Sequence, residues 1–147
     1  MKTRLKSLAL ATITLATLSV AGVSCGPPPD AGVVRLWTEE FELRVSADVM
    51  PPRALERIHY TVVVRDVKTK EPIANGEGRI FATNADRKTS HNGFTYGPEV
   101  GTYHATLTFV TAGDWAMGIQ FRRDSTKTLQ RTLDWRQMVR NEAPPGT

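Results

Sequence analysis

The stretch from Glu99 to Phe121 constrains this fold more than any other part of the chain. Tyr103, Ala105, Leu107 and Phe109 alternate with Thr102, His104, Thr106 and Thr108. Trp115, Met117, Ile119 and Phe121 then alternate with Ala116, Gly118, Gln120 and Arg122. A side-chain period of two places every other residue on one face, so each half reads as a strand with one buried and one wet face. Ala112-Gly113-Asp114 supplies the turn between them, since Gly113 takes a positive φ without a steric penalty.

The rest of the domain repeats the pattern. A strand is expected around Val33 to Trp37. Another runs from Glu40 to Val49 with Phe41, Leu43, Val45 and Ala47 inward, and Met50-Pro51-Pro52-Arg53 ends it, because proline donates nothing to a ladder. Arg57 to Asp66 follows, with Ile58, Tyr60, Val62 and Val64 inward and His59, Thr61, Val63 and Arg65 outward. Val67 to Pro72 is a charged turn, Glu77 to Thr83 a strand, Asn84 to Asn92 a polar loop and Phe94 to Gly97 a short strand. Thr126 to Trp135 reads as a closing strand with Leu129 and Leu133 inward, although the same spacing also fits a short helix. About seven strands at roughly ten-residue spacing define an all-β, immunoglobulin-like antiparallel β-sandwich. It is expected over residues 33–140, with a flexible tail at 141–147.

Residues 1–24 read as an address. Lys2, Arg4 and Lys6 form a positive start, and Leu8 to Val20 is an apolar run too short to span a bilayer comfortably. Small residues then precede the single cysteine, Cys25, in Ala21-Gly22-Val23-Ser24-Cys25-Gly26. This resembles a bacterial lipobox, in which the cysteine becomes the first mature residue and carries the lipid. Gly22 stands where the usual box has leucine, so ordinary signal-peptide cleavage nearby is the alternative. By resemblance to the sorting rule of Gram-negative lipoproteins, Gly26 favours the outer membrane. Residues 25–32, with Pro27, Pro28 and Pro29, form a proline-rich tether. The expected location is therefore the bacterial cell envelope, on its periplasmic or extracellular face, with the membrane contacted through the N-terminal lipid.

Charge narrows the partners. The whole chain carries +4, but removing Lys2, Arg4 and Lys6 leaves 16 of its 19 basic residues against 15 acids, close to +1. So neutral a domain is not a nucleic-acid binder by electrostatics.

Two sets of residues carry a family resemblance. Glu99-x-Gly101-x-Tyr103-x-Ala105 resembles the Asp-x-Gly-x-Tyr-x-Cys signature of immunoglobulin strands, whose tyrosine hydroxyl caps backbone at a corner; Ala105 takes the cysteine position. More broadly, Gly101 to Phe109 followed by Ala112-Gly113-Asp114-Trp115 resembles the end of YtkA-like and FixH-like domains. Tyr60 to Asp66, with Glu71-Pro72-Ile73-Ala74-Asn75-Gly76 after it, is similar to their earlier strand and turn. The resemblance implies a small immunoglobulin-like module outside the cytoplasm, with Gly101, Tyr103, Gly113 and Trp115 as structural residues. Some members of that family are linked to copper handling or terminal-oxidase assembly.

A copper site needs imidazole or thioether ligands held together. The candidates are His59, His91, His104, Met50 and Met117. Met117 shares the parity of Trp115 and Ile119, which is a core position, whereas His59 and His104 fall on outward parities. In copper-associated relatives methionine and histidine cluster before the Gly-x-Tyr strand; here that region offers His91 alone. No nucleophile elbow, His-Glu-x-x-His, phosphate loop or dinucleotide fingerprint is present in the sequence. The sequence thus predicts a non-catalytic, lipid-anchored module that needs no cofactor and binds an as yet unidentified envelope protein. A copper-binding or copper-delivery accessory using His59, His91 and His104 is the alternative, and a hydrolase with a loop-built site a further one.

Overall fold

The computed structural model describes residues 32–144 and Gly146. The address, Cys25 and nearly all of the tether lie outside them. Ten strands form among the described residues: β1 (Val34–Trp37), β2 (Phe41–Ala47), β3 (Arg57–Asp66), β4 (Glu77–Asn84), β5 (Thr89–Gly93), β6 (Thr95–Tyr96), β7 (Thr102–Thr108), β8 (Gly113–Arg122), β9 (Gln130–Arg131) and β10 (Trp135–Val139). They build two sheets, in the orders β1-β2-β3-β7-β6 and β10-β8-β4-β5, with β9 beside β8. Every strand pair is antiparallel.

This order is immunoglobulin-like. β2, β3, β7 and β6 occupy the places of strands A, B, E and D, and β10, β8, β4 and β5 those of G, F, C and C′. β1 extends the first sheet beyond the A position.

The core lies between the sheets, where the inward rows meet. Phe41, Leu43, Val45, Ile58, Val62, Val64, Tyr103 and Leu107 come from the first sheet, and Ile80, Ala82, Trp115, Met117, Ile119 and Phe121 from the second. Phe121 sits edge-on to both Phe41 and Tyr103, with ring centroids 5.0 and 5.1 Å apart. Phe109, on the β7–β8 connection, meets Trp115 edge-on at 5.2 Å, and the Trp115 Nε1–H donates to the Thr111 carbonyl at 3.1 Å. Aromatic pairs of this kind prefer edge-to-face contact because the ring edge is positive and the face negative.

Tyr103 lies on β7, the E position, and not on F, where the immunoglobulin Asp-x-Gly-x-Tyr-x-Cys signature sits, so Ala105 does not stand in the place of the inter-sheet cysteine. Tyr103 is fully buried, and its hydroxyl donates to the Ile73 carbonyl at 2.6 Å and accepts from the Gly76 N–H at 2.8 Å. It thereby fixes the connection that carries the chain from β3 in one sheet to β4 in the other. Gly101, which opens this strand, has φ +80°, and a Cβ there would lie 2.6 Å from Pro72 Cβ. Its carbonyl accepts from the Val64 N–H at 2.8 Å, so the same corner is held from both sides.

Three details differ from the sequence expectation. The segment expected as a polar loop at 84–92 contains β5, an edge strand whose Thr-Ser-His-Asn-Gly sequence has no apolar row. The closing segment is two strands rather than one. β8 pairs with β9 at Gln120↔Arg131 and with β10 at Met117↔Trp135. Between these rungs Thr132, Leu133 and Asp134 face only Gly118 and Ile119, which is a β-bulge. The extra residue switches parity, so Thr132, Gln137 and Val139 are buried while Leu129 and Leu133 are exposed. Leu133, expected inward, is 86% exposed.

Candidate functional site

The outer face of the second sheet carries an open recess with aromatic lining. β4 turns Ile80 and Ala82 into the core, so Arg79, Phe81 and Thr83 point outward. Phe81 stands opposite Gly118 of β8, and Thr83 opposite Ala116. These small outward residues leave room for a large one to lie flat. A Cβ at position 118 would come within 2.6 Å of Phe81 Cζ and 2.8 Å of Asp134 Oδ1, so both side chains occupy the space that Gly118 leaves. The Arg131 guanidinium covers the other side of the Phe81 ring, 4.8 Å from its centroid, and its Nη2 donates to both carboxylate oxygens of Asp134 at 3.0 and 3.2 Å. Trp135 and the Arg136–Asp114 ion pair complete the lining. The result is an open trough of about 700 Å³.

Its electrostatics are paired. The Arg136 guanidinium donates to Asp114 and holds that carboxyl below the usual carboxylate range, and Asp114 in turn raises Arg136. The recess thus combines aromatic edges with the cationic and anionic groups of two Arg–Asp pairs. A smaller recess of about 250 Å³ adjoins it across Phe81, lined by Arg79, Ser90, His91 and Gln120 among others, where the Arg79 Nε–H donates to Gln120 Oε1 at 2.8 Å.

The candidate metal residues fall on two different faces. His59 and His104 share the outer face of the first sheet. His59 stands opposite Thr106, and Thr61 opposite His104, on neighbouring rungs of β3 and β7. His59 Nδ1 is 3.0 Å from the Thr106 hydroxyl and His104 Nδ1 is 3.3 Å from the Thr61 hydroxyl. The two residues are therefore diagonal neighbours, a relation that separates residues by about 7–8 Å and their Cβ atoms by somewhat less. His104 Nε2 packs beside Gly97, where a Cβ would lie 2.8 Å away. His91 lies on β5, opposite Phe81, on the outer side of the second sheet. Among the described residues no group of three or more His, Cys, Asp or Glu side chains comes together. Met117 is fully buried beneath the Tyr60 hydroxyl, 3.9 Å away, and Met50 is exposed on the β2–β3 connection.

The remaining singled-out residues are structural in their surroundings. Gly113 has φ +115° with open space around it, so the turn into β8 needs the dihedral and not the room. Trp115 is fully buried. Cys25 lies outside the described residues. Of the basic C-terminal residues, Arg122 pairs with Glu77, Arg123 with Asp66 and Glu40, Arg131 with Asp134, and Arg136 with Asp114. Phe81, Arg131, Asp134 and Trp135 were not legible as a group. The one sequence signal was Phe81 itself, a large aromatic on the outward parity of its strand.

Fold and site together define a class: a two-sheet, immunoglobulin-like β-sandwich with an aromatic trough on the outer face of its second sheet. No family model and no curated protein matches the chain. Among solved structures it is similar to a DUF4426 family protein from Pseudomonas aeruginosa PAO1, with a TM-score of 0.56 and 12% identity over 77% of this chain and 98% of that one. A copper-bound variant of FetP from uropathogenic Escherichia coli strain F11 aligns with a TM-score of 0.48 and 13% identity, over 72% of this chain and 95% of that one. The first is a likeness of fold, and neither speaks to a ligand or a task in this chain.

Proposed function

We propose that the protein is a lipid-anchored, non-catalytic module of YtkA-like kind that binds a protein partner in a bacterial envelope assembly. The observation that carries this reading is the trough over Gly118. It sets the half-buried Phe81 ring, capped by Arg131, beside two Arg–Asp pairs, and aromatic residues and arginine are enriched in protein-binding patches. The family resemblance in the sequence and the lipobox-like segment around Cys25 support the location.

Photo-cross-linking in native membranes tests it. A photoreactive residue at Thr83 or Ala116 should capture a discrete partner, and one at Ser46, on the outer face of the first sheet, should not. Phe81→Ala combined with Arg131→Glu should abolish the capture. Equal yields at all three positions, or capture that survives the double variant, would remove the trough from partner binding.

The adjacent His59 and His104 rungs favour copper binding as a second reading, since two imidazoles share one face. Titration with Cu(I) and Cu(II) separates it. Loss of stoichiometric binding in the His59→Ala, His104→Ala double variant but not in His91→Ala would support a site on β3 and β7. Weak binding equal in all three proteins would dismiss it.

A further inference from the structure

Both ends of the sandwich present exposed apolar side chains, and the chain enters the fold at one of them. β1 runs antiparallel to β2, with Val34 opposite Val45 and Trp37 opposite Glu42. The chain therefore enters the fold at the end where β2 stops, β3 and β8 begin, and β7 and β10 stop. At this end Val49, Met50, Leu55, Val110 and Met138 are each between 41% and 60% exposed. Three backbone bonds stitch their segments into one surface. The Leu55 N–H donates to the Phe109 carbonyl at 2.8 Å, next to Val110. The Ala54 N–H donates to the Arg140 carbonyl at 2.9 Å, and the Arg140 N–H to the Pro52 carbonyl at 2.8 Å. Arg53 and Arg140 bridge to each other in the same place. Of the other exposed large apolar residues, Trp37, Tyr96, Val100 and Leu129 lie toward the opposite end, where β1 and β8 stop and β7 begins, so the point of chain entry, and not apolar exposure alone, distinguishes the entry end.

We infer that this end is a contact surface for lipid headgroups. The inference rests on the proposed anchor at Cys25. Residues 25–32 can reach at most about 28 Å, at roughly 3.3–3.6 Å per residue. The ten residues of β3 alone span about 33 Å, so a tether doubled back along the sandwich falls short of the far end. The acyl chains thus keep the entry end beside the bilayer, where exposed apolar side chains would otherwise face water. Val49, Met50, Leu55 and Val110 enter the interfacial layer, and Arg53 and Arg140 meet phosphate groups. The sandwich then stands upright. The trough of the second sheet and the His59–His104 face both look sideways, open to a partner in the same envelope compartment.

The test uses the full lipid-bearing chain in vesicles of phosphatidylethanolamine and phosphatidylglycerol. An acylated Cys25 has no free thiol, so a single new cysteine takes the label. Leu55→Cys and Val110→Cys report the entry end, Thr69→Cys and Ser125→Cys the far end, and Val63→Cys the outer face of the first sheet. Each carries a nitrobenzoxadiazole label, read against headgroup-spin-labelled lipid. The expected result is a blue shift and quenching at 55 and 110, with neither at 63, 69 or 125. Quenching at 55 and 110 no stronger than at 69 overturns the inference, as does dominant quenching at 63, which means the domain lies on its side. A blue shift at 55 that follows protein density rather than lipid also overturns it, because a second copy then covers this end. The mass of the N-terminal peptide decides the anchor separately. A missing acyl mass removes the anchor and this inference with it, whereas an acylated chain with unquenched labels removes the contact surface alone.

Discussion

Tyr103 ties the two sheets through one hydroxyl. Its oxygen serves the Gly76 N–H and its proton serves the Ile73 carbonyl, both on the connection between β3 and β4. Burial pushes the phenol above its usual value, so the group stays neutral and keeps its donor. Tyr103→Phe keeps the buried ring but leaves both backbone groups without this partner. The expected cost is about 1–3 kcal/mol, read as a lower urea midpoint with an unchanged slope. The exposed carboxylates act differently. Asp66 accepts from the Thr69 and Lys68 N–H groups at 2.9 and 2.8 Å and from Arg123, and these hold it below its ordinary 3.8. Hydrogen bonds from Arg136 and from Thr126 lower Asp114 and Asp124 in the same direction. A carboxyl lowered in the fold binds fewer protons folded than unfolded, so its stabilisation is complete above the ordinary value and is lost as pH falls through the lowered one. The thermal midpoint should be level from about pH 8 to pH 5 and drop below about pH 4. Asp66→Asn, which keeps an acceptor for Lys68 and Thr69 but not the charge, should make that acid drop shallower. An equally steep drop in Asp66→Asn would take this residue out of the account.

The strands that were legible in the sequence are those whose inward row is apolar without interruption. In β3, β7 and β8 the alternation identifies the apolar core row of Ile58, Tyr60, Tyr103, Leu107, Trp115 and Ile119, whereas Thr102 and Gly118, on the outward parity, are buried as well. β5 was not legible because an edge strand with no apolar row leaves no period-two trace. Its role shows only in three dimensions, where Asn92 Oδ1 accepts the Thr106 N–H of β7 at 3.2 Å. The bulge at Thr132–Asp134 hid β10 for a different reason: one added residue moves the inward parity from even to odd numbers, so no single period fits the segment. The trough was hidden because it depends on register. Parity says that Phe81 and Gly118 both point outward, but not that they face each other. That pairing makes Gly118 a sensitive position. In Gly118→Ala the new Cβ must displace the tip of Phe81 and the Asp134 carboxylate, while Met117 and Ile119 on the opposite face keep their packing. We expect an overpacking cost of about 1–3 kcal/mol in thermal or urea melts. We also expect loss of cross-linking from Thr83. Retained cross-linking would mean that the partner does not need Phe81 in its present place.

At the scale of the whole molecule, the proposed anchor at Cys25 can be tested apart from the fold. Among the described residues the buried core runs from Leu36 to Val139. Attachment by several acyl chains depends on buried methylene groups, each worth about 0.8 kcal/mol, and is insensitive to salt, whereas attachment through Arg53 and Arg140 alone would be screened within about 10 Å at 0.1 M salt. The Cys25→Ser chain separates these contributions. The parent protein should remain with the membrane fraction through a high-salt wash. The Cys25→Ser protein should appear in the soluble fraction after the same wash, with the thermal midpoint of the parent. If Cys25→Ser stays with the membrane at high salt, the lipid on this residue is not what holds the protein there, and an uncleaved N-terminal segment becomes the explanation to test by sequencing the mature N-terminus. If it is released but melts lower, residues ahead of β1 contribute to the fold as well as to its attachment, and the tether is a structural element rather than a spacer.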